Sequence, residues 1–270
     1  MPHHFLLLHF GAQCPWQPWV AEQAREAAQR LNGEADIVDV TRRHDLAAHH
    51  RLFFHFMTVI DETIRIPSPV PAEGLVRIAV EGFLSPPLSP VLRQPEARTG
   101  IIRPLTASNL IDTCHLCIPP EERRGCQAKA AWAARITSHM DGGILGFSAC
   151  HSGQIVGVVE FLPLALIPYP LPVEAPEAAF ITCLYSLENG ADYRGQILER
   201  LMEHLRGTNY GEVYVIAGKR TPYPNGPAAF FNQYGFQPVN ELGRVTLREG
   251  EDELVLLRKM IGRRTQILVE

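Results

Sequence analysis

The sequence predicts an α/β protein: a mixed sheet with packed helices in its C-terminal part, preceded by a smaller α/β unit. Three observations carry that prediction. Strand, helix and strand alternate at the start, in HFLLLHFGA (4–12), PWVAEQAREAAQRLN (18–32) and ADIVDV (35–40). The stretch LSPPLSPVLRQPEARTG (84–100) holds four prolines and no periodicity, which marks a boundary. A β-branched run, AFITCLYSL (179–187), then passes through the turn NGADYRG (189–195) into the helix QILERLMEHLR (196–206) and a second strand, EVYVIAG (212–218).

The remaining elements follow in order. A helix over 44–52, strands over 53–61 and 63–70 and a helix over 71–83 complete the first unit, residues 1–84. After the linker 85–99, the second unit spans 100–262, with a tail at 263–270. It opens with a strand (GIIRPLT, 100–106), a Cys-rich irregular segment and a long helix (125–143). ILGFSACHSG and QIVGVVEFLP read as a hairpin turning at Ser152-Gly153. A short helix in NGPAAFFNQYGF (225–236) and a last strand, DELVLLRKM (252–260), end the fold.

Composition excludes several classes. An apolar fraction of 46% and a charged fraction of 20% are those of a globular chain. A net charge of −4 gives no basic footprint for nucleic acid. The longest apolar stretch (161–173) is cut by four prolines and is too short to span a bilayer. No Lys or Arg precedes the apolar FLLLHF (5–10), so it reads as a buried strand and not a signal peptide. Six cysteines in 270 residues are too few for a disulfide scaffold, which makes a cytoplasmic location the expectation.

A strand that enters a glycine-bearing turn and a helix N-terminus is an anion site, because the first helical N–H groups lack internal partners and the helix dipole adds positive potential. Asn225, Ala228, Phe230-Phe231 and Gly235-Phe236 follow the second strand. In this order and spacing, Phe180 to Phe236 resembles the acyl-CoA-binding half of the GNAT acetyltransferases. The resemblance implies a cleft where strands 179–187 and 212–218 splay, acetyl-CoA as cosubstrate, and transfer of its acetyl group to a small-molecule amine. It places Leu184 and Tyr185 beside the pantetheine arm and Arg194, Gly195, Gln196, Ile197 and Leu198 around the pyrophosphate. Asn225, Phe230 and Phe231 complete the implied cofactor set.

This chain departs from the family at several of those positions. Asp192 stands where Gln or Arg is expected, Ile197 where a second small residue is usual, and Glu199 where a third glycine is frequent. Ile197 restricts backbone approach to phosphate, Glu199 repels a diphosphate, and Arg194 offsets part of that repulsion. The alternative is a helix that caps at Asp192 and binds nothing. The family's general-acid tyrosine is Phe231, which donates no proton; Tyr185, Tyr223 and Tyr234 are substitutes. Glu160, in the apolar strand VGVVEFLP, is the first candidate base, facing either the cleft or solvent, and Glu188 the second. The Pro-rich connection 162–177 suits an acceptor-binding wall.

Cys114-His115-Leu116-Cys117 with Cys126 permits a thiophilic metal but specifies no fourth ligand, so no metal is assigned. A reversibly oxidised pair, Cys117 with Cys126, and buried cysteines acting as small hydrophobes are the other readings. The pattern Cys-His-x-Cys…Gly-Cys-Gln…Trp132 is similar to a bacterial GNAT subgroup with an attached thioredoxin-like module. In the N-terminal unit the order strand, Cys14-Pro15-Trp16-Gln17, helix, strand resembles the opening of a thioredoxin-like fold. A Cys at a helix N-terminus has its thiolate stabilised, but Gln17 replaces the second Cys, so Cys14 is a monothiol or part of a docking module. His44, His49, His50 and His55 read as solvated helix-end histidines without metal-ligand spacing.

Two functions compete. One is an acetyl-CoA-dependent N-acetyltransferase with an accessory thioredoxin-like domain, positioned catalysis, and Glu160 acting directly or through water as base. The other is a non-catalytic or thiol-sensing protein that keeps the fold, with Cys14, Cys117 and Cys126 as reactive thiols. Neither specifies the acceptor, and a homodimer is left open.

Overall fold

In the computed structural model, residues 2–82, 96–119, 123–186, 191–221, 223–247 and 250–262 are described. The chain opens with β1 (His4–His9), whose central residues are fully apolar and buried. Helix α1 (Gln17–Arg30) follows, with Pro18 in its first turn, where a missing N–H costs nothing. Its inner face is small, Ala21, Ala24, Ala27 and Ala28, so it packs closely on the sheet. The crossover returns the chain as β2 (Glu34–Asp39), parallel to β1. Then come α2 (His44–His49), β3 (Phe56–Ile60), β4 (Ile64–Ile66) and α3 (Ala72–Glu81). The four strands lie in the order β2-β1-β3-β4, with β3 antiparallel to both neighbours.

The second sheet begins after β5 (Glu96–Ala97) with β6 (Ile101–Thr106). A 3₁₀ segment, Leu110–Leu116, leads to α4 (Arg123–Ile136), then β7 (Ile144–His151) and β8 (Gln154–Pro163). Next come β9 (Ala178–Ser186), β10 (Ala191–Asp192), α5 (Arg194–Leu205), β11 (Glu212–Gly218) and α6 (Ala228–Gln233). β12 (Gln237–Leu247) and β13 (Gly250–Met260) close the fold. The seven strands run β12-β13-β11-β9-β8-β7-β6, and β9 with β11 is the parallel pair. β7 and β8 form the expected hairpin, Ser152 and Gly153 taking the positive φ angles that a tight turn of right-handed twist needs. Of the linker, residues 85–95 lie outside the described residues.

Three strands escaped the sequence reading: β5, within the expected linker, and β10, within the expected turn, are two residues each and pair with one another, and β12 is the long one. β12, QPVNELGRVTL, is half-exposed, carries two register shifts against β13 and includes Gly243 at positive φ. An edge strand with bulges and polar residues shows no period of two.

The two sheets share a core. Leu8, Phe10, Val40 and Phe54 from the first unit pack in one cluster with Trp132, Phe147, Phe180 and Val215 from the second. Phe10 meets Trp132 edge-on at 5.7 Å, and Phe54 stacks on Tyr223 at 5.4 Å. The Pro-rich connection after β8 joins them: Leu164, Ile167 and Tyr169 are buried, and Tyr169 packs edge-on against both Phe10 and Phe180. Gly125, at the start of α4, lies so close to the Pro15 carbonyl that any Cβ would collide with it. That contact seats the Cys-bearing end of α4 against the Cys14 turn.

Candidate active site

The anticipated splay is present. β9 and β11 pair only from Ala178↔Glu212 to Ile181↔Val215, although β9 continues to Ser186 and β11 to Gly218. Beyond that point both strands lack the partner a continuous ladder would supply, and buried backbone groups must be paired some other way. Asn225 does this: its Oδ1 accepts the Leu184 N–H at 2.9 Å and its Nδ2 donates to the Ile216 carbonyl at 3.3 Å. The loop that carries Asn225 is pinned by Asp252 of β13, a fully buried carboxylate. It accepts the Thr221 N–H at 2.8 Å, the Thr221 hydroxyl at 2.7 Å and the Arg220 N–H at 3.0 Å. Burial alone would raise the Asp252 carboxyl, but these donors outweigh it and hold it below the usual carboxylate range. Asp252 escaped the sequence reading, and only its place at the head of a polar-then-apolar strand signals it.

At the α5 N-terminus the turn residues are engaged with one another. Asp192 accepts the Arg194 N–H at 2.9 Å and grips the Arg194 guanidinium in a fork, at 2.9 Å to Nε and 2.8 Å to Nη2. Arg194 also donates to the Gly226 carbonyl at 3.1 Å and lies 4.5 Å over the Phe230 ring. The Gly195 and Gln196 N–H groups form no hydrogen bond among the described residues, so they are the donors available to an anion. Gln196 is otherwise tied by its side chain to both backbone groups of Gly100. Gly195 has a steric reason: a side chain there would strike the Tyr234 hydroxyl, which sits at the helix start. Burial, then Glu199 and Asp192, raise the Tyr234 phenol.

Ile197 and Leu198 are fully buried and face the core, so they offer a ligand only backbone. Phe231 is likewise fully buried, against Phe230 and Phe236, and its ring does not line the cleft. Tyr223 donates to the Pro67 carbonyl at 2.7 Å and acts as a joint between the units. Tyr185 is half-buried on β9 and shares a sheet face with Cys183, two residues away. Glu188 lies outside the described residues.

Glu160 faces neither solvent nor an open cleft. It is 5% exposed and pairs with Lys129, 4% exposed, at 2.5 Å; its second oxygen lies 3.3 Å from Gln13 Nε2. Burial works against the Lys129 ammonium, but Glu160 outweighs it and keeps the lysine charged well above its ordinary value. A cavity of about 10 Å³ beside Glu160, Trp132 and Thr182 has room for about one water and none for an amine. Gln13 and the role of Lys129 escaped the sequence reading. Cys126, Lys129 and Trp132 recur every third residue and are all buried on one face of α4, which is the signal that was available.

The thiols gather around that pair. Cys183 lies opposite Glu160 in the β8–β9 register, and Lys129, Glu160 and Cys117 all act on it. Trp16 Nε1 donates to the Cys117 carbonyl at 3.0 Å, joining the Cys14 turn to the Cys-rich segment. Burial raises Cys14 to about 12 and Cys117 to about 11, so both are protonated at neutral pH. The Cys114 thiol is also raised, by burial and by its hydrogen bond with Cys126. The expected dipole stabilisation of the Cys14 thiolate is thus outweighed by desolvation. Within the group His44, His49, His50 and His55, His44 and His49 are exposed, His50 is buried, and burial and then Lys129 push the half-buried His55 down to about 3.

No family model matches the chain, and no curated protein matches it. Solved structures similar to it are acetyltransferases. An N-acetyltransferase from Staphylococcus aureus Mu50 is 12% identical over 60% of this chain and 98% of its own, with a TM-score of 0.45. A GNAT-family acetyltransferase from Streptococcus pneumoniae is 14% identical over 60% and 99%, at 0.44. The ribosomal-protein-alanine N-acetyltransferase from Brucella melitensis is 17% identical over 59% and 99%, at 0.43. Among the described residues, no helix is long and apolar enough to cross a membrane.

Proposed function

We propose that the chain is an acetyl-CoA-dependent N-acetyltransferase of the GNAT type acting on a small-molecule amine, with a thioredoxin-like first unit. The observation that carries this reading is the wedge between β9 and β11, opened after Ile181 and Val215 and held by Asn225. A pantetheine arm entering the wedge has strand backbone on both sides, and the Gly195 and Gln196 N–H groups stand at the start of α5 for the phosphates. The strand order β2-β1-β3-β4, with β1 and β2 parallel around α1, supports the thioredoxin-like reading.

Catalysis in this reading rests on position. The thioester carbonyl lies along β9, and the amine approaches on the Tyr185 face. The amine nitrogen attacks the carbonyl carbon, the bond to sulfur breaks, and the nitrogen loses a proton. Glu160, confined with Lys129, reaches that proton only through the single water its cavity admits. Tyr185 is the phenol placed to return a proton to the thiolate.

A second reading, a protein that keeps the fold without the chemistry, is favoured by the Asp192–Arg194 fork and by Asn225 occupying the Leu184 N–H. Calorimetry with acetyl-CoA separates the two. Saturable binding that weakens in Asn225→Ala supports the enzyme; no heat up to millimolar ligand removes it.

A further inference from the structure

We propose that His49, His50 and Glu62 form a binding site for a divalent cation of the zinc class, which clips the end of α2 to the β3–β4 turn. His49 is the last residue of α2 and His50 its C-cap; Glu62 lies in the connection between β3 and β4. His49 Nε2 is 4.0 Å and His50 Nε2 is 3.9 Å from the Glu62 Oε2 atom, and one ligand atom from each residue falls within 4.8 Å of the others. These separations are too long for hydrogen bonds. Ligands about 2.0–2.2 Å from a shared zinc lie about 3.3–3.6 Å apart in a tetrahedron, so a small rotation of two free side chains closes the site.

The side chains are arranged for that motion. His49 and Glu62 are 69% and 59% exposed, with room to rotate, while His50 is 3% exposed. The His50 ring sits edge-on to His49 with centroids 4.6 Å apart, which keeps both imidazoles at one point. The His50 Nε2 atom is the ring nitrogen turned toward Glu62 and does not reach it.

The donor set selects the ion. Two imidazoles and one carboxylate suit zinc or its neighbours, whereas calcium and magnesium take oxygen ligands. Three protein ligands leave a fourth position for water. This proposal stands apart from the acetyltransferase reading, since no atom of the wedge takes part.

The test uses the full-length chain with zinc by calorimetry and cobalt(II) by visible absorption. The expected result is one equivalent of zinc, and cobalt bands of four-coordinate geometry without intense thiolate charge transfer. His49→Ala and Glu62→Gln alter exposed side chains, so they preserve the fold and should each weaken zinc binding about tenfold or more. His50→Ala should abolish it. No binding up to millimolar zinc overturns the proposal, as does unchanged affinity in both exposed-site variants. A thiolate charge-transfer band would assign the metal to the cysteines and overturn it equally.

Discussion

The wedge and the Lys129–Glu160 junction are both candidate centres, and they are built on opposite principles. The wedge is made of backbone. Its strands part, one amide side chain spans the gap, and the charged groups beside it, the partly buried Asp192 and Arg194, neutralise each other. The junction is made of side chains: a buried ion pair, neutral thiols and an amide brought together from both units. The lesson is that parted strands can be held by one neutral amide that pairs the backbone on both sides. A buried ion pair is a fixed structural commitment that must be satisfied before any chemistry.

The largest effect that would break this comparison is at the junction. Glu160→Ala leaves the Lys129 ammonium buried and unpaired, and should cost about 3–5 kcal/mol of stability in urea unfolding. The double variant Lys129→Met, Glu160→Gln should recover most of it. A Glu160→Ala chain with wild-type stability would show that the pair is not a structural lock.

The next effect is at the wedge. Asn225→Ala strands the Leu184 N–H and the Ile216 carbonyl, at a cost of about 1–3 kcal/mol per group left unpaired. If acetyl-CoA fills the wedge, saturating ligand should restore part of that loss in thermal unfolding; ligand without effect argues for the non-catalytic reading.

Gly195→Ala should cost about 1–3 kcal/mol, because the new methyl meets the Tyr234 hydroxyl. Tyr234→Phe in the same chain should relieve it. Failure of the second change to help would place the strain in the backbone instead.

Acid should act at the junction before the wedge. His55, 3.4 Å from the Tyr169 hydroxyl, is held at about 3 by burial and by Lys129, against an ordinary 6.5. The unfolded chain therefore binds more protons between those values. Stability is full above the ordinary value and falls as pH drops below it, by up to about 1.4 kcal/mol per pH unit, until about 3. His55→Gln should flatten that slope; an unchanged slope would assign it to another group.

The smallest effect concerns the fork. Asp192→Asn frees Arg194 and removes a negative charge at the helix start, which should tighten acetyl-CoA binding about two- to fivefold. Weaker binding would instead make Asp192 part of the site.

Much of the wedge was legible in the sequence. The β-branched run, the glycine turn, the amphipathic helix and the Asn225 to Phe236 stretch are local patterns, and local periodicity reports local structure. The junction was only half legible. Cys14, Cys117 and Glu160 stood out by type, but their partners Lys129, Gln13 and Cys183 come from three different elements.

By itself the sequence determined most of the helices and strands, because each depends on neighbours within a few residues. Tertiary structure alone decided that the two units share a core, that Glu160 is locked to Lys129, and that Phe231 and Ile197 turn inward. Those outcomes depend on which surfaces meet across long stretches of chain. Burial then keeps the Cys14 and Cys117 thiols protonated and the His55 imidazole neutral.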